Sequence, residues 1–154
     1  MKKTVVTSLL LSVVALSLPC GRTSARELPG GWVPVKEGVS INARTIVFPS
    51  ADIVSVWVRV VPEETSEMFA RVYRELKRKG KDYKTYEYTG FLTEIDCAQH
   101  RHREVSILHY NKDRNIIYSA ARTNAAWVSA ADENYFAPVR DAVCDQGTAR
   151  LWRD

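Results

Sequence analysis

Between residues 53 and 61 the chain alternates without a break: Val54, Val56, Val58 and Val60 fall on one side of an extended backbone, and Ser55, Trp57 and Arg59 on the other. Successive side chains of a strand point to opposite faces, so this period of two predicts a strand with one face against an aliphatic core. Pro62 ends it, because proline has no N–H to donate to a ladder.

The other elements are read around that strand. Trp32-Val33-Pro34-Val35 predicts an edge strand, since Pro34 cannot serve a ladder on both sides. Residues 39–46 read as short extended segments. From 66 to 79 the period becomes helical, with Met68, Val72 and Leu76 at i, i+4 and i+8, Phe69 and Tyr73 beside them, and Gly80 as the stop. Residues 86–96 and 103–111 predict two strands, and residues 112–115 turn the chain into another that runs to about Ala121. Asn115 is a residue that tolerates the left-handed conformation such a turn needs. Residues 134–144 predict a terminal helix with Phe136, Val139 and Val143 on one side, Pro138 near the first turn, and Gly147 beyond the end. The expectation is an α+β fold: an antiparallel β-sheet of about five or six strands, a central helix, and a C-terminal helix packed on the sheet. There is no internal repeat and no low-complexity linker.

The first residues have a different character. Lys2 and Lys3 precede an apolar run over residues 5–18, shorter than the roughly 20 residues a permanent membrane span requires. Residues 1–25 therefore read as a secretory signal peptide and residues 26–154 as one domain, exported to the periplasm or the cell surface. Thr23-Ser24-Ala25 offers a small-residue cleavage site, while Cys20 followed by Gly21 stands where a lipid-acceptor cysteine would. Pro19 departs from the small residue that a lipid-attachment motif takes before its cysteine. Cleavage after Ala25 removes Lys2, Lys3 and Arg22 and no acid, so the balance of Lys and Arg against Asp and Glu falls from 22 against 18 to 19 against 18. The basic character of the whole chain thus belongs mostly to the export signal, and a nucleic-acid or general polyanion role loses its support. The same cut leaves Cys97 and Cys144 as the remaining cysteines of three, an even number in an exported protein, and a disulfide between them is the expectation.

One stretch, LTEIDCAQHRHREVSILHYN at 92–111, gathers Cys97 and all three histidines, His100, His102 and His109. His100 and His102, at i and i+2 on a strand, would share a face, as a metal site could use. Cys97 and His109 have the opposite parity, and Arg101 and Arg103 add positive charge where a divalent ion recruits carboxylates. No metal is expected, and the histidines are read as surface residues beside a turn. Cys97, grouped by parity with Phe91 and Ile95, points inward, and a bonded cysteine offers no thiolate for catalysis. No catalytic residue and no cofactor is assigned. An exported hydrolase or metal-dependent enzyme using the His100/His102 region is the alternative.

What remains is a cationic stretch: Arg71, Arg74, Lys77, Arg78 and Lys79 on the outer side of the central helix, then Lys81 and Lys84, interleaved with Tyr73, Tyr83, Tyr86 and Tyr88. Cations near a helix C-terminus are favoured by the helix dipole, which explains part of this charge. Arg74, Lys77, Arg78 and Lys81 are the partner-binding candidates, for an acidic protein segment or a sulfated glycan. Trp32, Trp57 and Trp127 are read as sheet-packing residues rather than a ligand cage.

VSVWVRVVP (54–62), EIDCAQHRHREVSILHYNKDRNII (94–117), SAARTNAAW (119–127) and VRDAVC (139–144) together resemble the bacterial surface-adhesin protein E family. Trp57, Cys97, Arg103, Tyr110, Trp127 and Cys144 occupy that family's places. Asn111 and Asn115 stand where an Asp and a Gly are usual, and both are compatible with the turn. The resemblance implies an exported domain on an antiparallel sheet with a C-terminal helix, and attachment to other macromolecules. It implies no catalytic site.

Overall fold

The structure, a computed structural model, describes residues 30–129 and 135–145. The expected signal segment with Cys20 and Ala25, the helix start at Asn134 and the stop at Gly147 lie outside the described residues.

The alternating valines form β3 (Ile53–Val60), flanked by β2 (Val39–Asn42) and β4 (Tyr86–Asp96). With β1 (Trp32–Lys36), β5 (Arg101–Asn111) and β6 (Ile116–Ala121) they make an antiparallel sheet in sequence order, β1 to β6. A two-residue β7 (Val128–Ser129) pairs with the start of β5 opposite Arg101 and His102, a seventh strand beyond the five or six expected. β1 is an edge, as Pro34 requires. Of the extended stretch expected over 39–46, the second half winds into a single 3-10 turn, Ala43–Thr45, where the Asn42 side chain accepts the Arg44 N–H.

β3 and β4 pair without interruption, Val54 opposite Ile95 and Val58 opposite Phe91. Partners across an antiparallel ladder point to the same face, so Val54, Val56, Val58, Val60, Phe91 and Ile95 form one surface, all buried. Two helices cover it. α2 (Phe136–Cys144) lays Phe136, Val139 and Val143 on the aliphatic end, each essentially without solvent exposure. α1 (Glu67–Arg78) buries Val72 and Leu76 at the other end, with Tyr86, Phe69, Tyr83, Ile117 and Tyr118. Its limits follow from local chemistry: the Ser66 hydroxyl accepts the Phe69 N–H at 3.1 Å, and Gly80 takes a φ of 63° that a Cβ would strain.

Two local features differ from the reading of the sequence. In the β5–β6 hairpin the left-handed residue is Arg114 (φ 63°), not Asn115, because the Asn111 side chain accepts the N–H of both Asp113 and Asn115 and moves the bend one residue earlier. Along β4 and β5 the register slips: Leu92 faces Ser106, but Thr93 faces Glu104, leaving Val105 as an extra residue. A bulge of this kind reverses the parity of everything beyond it.

Candidate binding surface

The bulge decides what the histidines do. It places His102 opposite Ile95 and His109 opposite Thr89, so both point to the helix-covered face and both are buried. His102 stacks on Phe136 with ring centroids 3.9 Å apart, as part of the α2 interface. His109 Nδ1 shares a hydrogen bond with Thr89 Oγ1 at 2.8 Å, and that hydroxyl meets the Tyr86 phenol at 2.8 Å. Tyr118 stacks on the same imidazole at 5.4 Å. Only His100 is a surface residue at the turn, with φ 51°. The reading of surface histidines therefore fails for two of the three, and His100 and His102 share no face.

Burial pulls the His109 imidazole down to about 4, helped by the Arg122 guanidinium, so it is neutral at ordinary pH. Burial also pushes the Tyr86 phenol up to about 12, against the opposing pull of its hydrogen bond to Thr89. Tyr86, Thr89 and His109 form a closed polar chain that no substrate can reach, and its role is to satisfy polar atoms inside the core. Sequence parity could not reveal it, because the bulge lies between the two histidines.

Cys97 and Cys144 are joined by a disulfide, with Cα atoms 5.5 Å apart, tying the end of β4 to the end of α2. The turn beside it is held by Asp96, whose carboxylate accepts the Gln99 N–H at 3.0 Å and pairs with Arg101 at 3.1 Å. Among the described residues, no three of His, Cys, Asp and Glu converge to hold an ion.

The face of the sheet without helices is built of cations and rings. The Arg59 guanidinium lies over Trp32 at 4.9 Å, Tyr88 stacks on Tyr110 at 4.6 Å, and Arg103 lies over Trp127 at 4.6 Å while bonding Glu94. Gly90 makes room for this layer, since a Cβ there would come within 3.3 Å of the Tyr110 ring. The tryptophans are thus half-buried sheet-packing residues. Tyr86 and Tyr88, expected beside the cationic stretch, are buried and contribute nothing to its surface.

Arg74, Lys77, Arg78 and Lys81 are all exposed, with Arg71 and Lys79. Lys77 lies over Tyr83 at 5.9 Å, and Lys79 is 4.9 Å from the Tyr118 ring and 3.9 Å from Glu75. Lys81 lines an open cleft of about 280 Å3 with Ile116, Ile117, Tyr118 and Ser119 of β6. That cleft depends on the docking of α1 against β6, which no local spacing encodes.

No protein-family model and no curated protein sequence matches the chain. Among solved structures, a crystal form of Haemophilus influenzae protein E is similar with a TM-score of 0.51 and 15% identity, over 79% of this chain and 92% of that one. Protein E from non-typeable Haemophilus influenzae is similar with a TM-score of 0.51 and 11% identity, over 82% of each chain. At such identities the likeness is one of fold, and it extends over about four fifths of this chain. The antiparallel sheet with a C-terminal helix is the architecture that the resemblance implies, and the central helix is the one that the period of residues 66–79 predicts.

Proposed function

We propose that this chain is an exported binding or adhesion module of the bacterial envelope or surface that holds another macromolecule and catalyses no reaction. Its exported domain begins after Ala25, and the cationic side of α1 bears the partner. The observation that carries this reading is the exposure of Arg74, Lys77, Arg78 and Lys81 around a helix end held from beneath by Val72 and Leu76. Charges at a rim of this kind govern association rate and salt dependence, and they favour an acidic protein segment or a sulfated glycan. The protein E fold and the surface-adhesin resemblance support the same class.

The test is a pull-down with the exported domain, repeated with the four residues changed to Glu. Loss of the captured partner, with the fold intact by circular dichroism, is expected. A partner retained equally well would refute the cationic surface. Intact-mass measurement on protein from the native host places the start: a chain beginning at Arg26 is expected, and acylated Cys20 would replace soluble export with a membrane anchor.

A further inference from the structure

The two edges of the sheet are built differently. β1 is blunted by Pro34, by a register shift between Pro34 and Lys36, and by the charge of Lys36. β6, at the opposite end of the strand order, reads Ile116-Ile117-Tyr118-Ser119-Ala120-Ala121, with neither a proline nor a charge. Arg122 N–H bonds Val105 O at 2.8 Å, so alternation turns the N–H and C=O of Ala121 and Ser119 away from β5, and both residues are exposed. An unblunted edge of this kind is a template for one more strand.

Beside the edge lies the cleft that Lys81 shares with residues 116–119. Its surroundings are cationic. Lys79 sits over Tyr118, Lys112 is exposed at the hairpin, and Lys81 makes no ion pair among the described residues. Of the neighbouring carboxylates, Glu75 is paired with Lys79 and Glu104 with Arg122, Asp82 accepts from Thr85, and the exposed Asp113 adjoins Lys112. Two copies pairing through β6 would set these cations against one another, whereas an acidic strand would meet them with opposite charge.

We propose that β6 is a strand-addition site, which takes an extended acidic segment of a protein partner along Ser119 and Ala121 and seats one of its side chains in the Lys81 cleft. This rests on the reading of the chain as a binding module and narrows the partner to a peptide. Backbone pairing supplies the register, and Lys81 selects for a carboxylate.

The full exported chain, labelled for NMR, is titrated with a synthetic peptide alternating glutamate and threonine, and with its lysine-for-glutamate counterpart. Saturable binding of the acidic peptide, with slowed hydrogen exchange at the Ser119 and Ala121 amides, is the expected result. Ser119→Pro removes an outward N–H and leaves the β5 ladder intact, so it should abolish binding while the rest of the spectrum is retained. Lys81→Glu should weaken binding by roughly ten-fold or more. Equal binding to Ser119→Pro, equal binding of both peptides, absence of binding, or a β6-mediated dimer of the free protein would each overturn the proposal. A partner lost on reversing Arg74, Lys77 and Arg78 but indifferent to Ser119→Pro would overturn strand addition alone and leave the module reading standing.

Discussion

The two ends of the helix-covered face are held by different chemistry. Under α2 the core is aliphatic and covalently closed: Phe136, Val139 and Val143 lie on Val54, Val56, Val58, Phe91 and Ile95, and the Cys97–Cys144 bond fastens the helix end. Under α1 the core is smaller and partly polar, with Val72 and Leu76 on Tyr86, and the Tyr86–Thr89–His109 chain beneath. The first arrangement resists opening and presents little to a partner. The second has fewer apolar groups to lose, and it carries the exposed cations and the free sheet edge. On the proposed reading, stability concentrated at one end leaves the other for recognition.

The sharpest way to break this contrast is to hollow out the α2 end. Phe136→Ala removes a ring that contacts Phe91 at 6.1 Å and His102 at 3.9 Å, and should cost about 3–5 kcal/mol by urea denaturation. Next comes the disulfide. It closes a loop of 47 residues in sequence separation, worth roughly 3–4 kcal/mol in the loop-entropy model. Cys144→Ser should therefore lower the melting temperature by many degrees, and peptide mapping of non-reduced protein should recover Cys97 and Cys144 linked.

The α1 end should respond to pH instead. Above its ordinary pKa of 6.5, His109 is neutral in both folded and unfolded chains, and folding bears no protonation cost. As pH falls from 6.5 towards 4, the unfolded chain takes up a proton that the folded one refuses, so stability declines through that window and levels off below it. The full effect is on the order of 3 kcal/mol. Thermal melts across this range should show the decline, and His109→Gln should flatten it. The smallest effect expected is at the cap: Ser66→Ala leaves the Phe69 N–H without its acceptor, costs about 1 kcal/mol, and frays the first turn of α1 without touching α2.

Much of this contrast can be read from sequence alone, and the failures share a cause. The valines of β3, the stripe of α2, the limits of α1 and the pairing of two remaining cysteines all rest on local periodicity or on counting. The placement of His102 and His109 does not, because the extra residue at Val105 reverses the parity between them and only the partner strand shows it. For the same reason a cluster that resembled a metal site became two core residues and one turn residue. Packing α1 beside α2 on one face, and opening the Lys81 cleft against β6, are tertiary events with no signature in spacing. The cationic residues were legible as candidates, but their separation into a helix face and an edge cleft was not.

Native-state hydrogen exchange, compared before and after reduction of the disulfide, tests the division of the molecule most directly. The account predicts that reduction lowers protection in α2 and in the Phe91–Asp96 half of β4, while the amides of α1 and β6 exchange at nearly their original rates. Equal loss of protection at α1 and β6 would contradict it, because the two ends would then be a single cooperative unit with no part left free for binding.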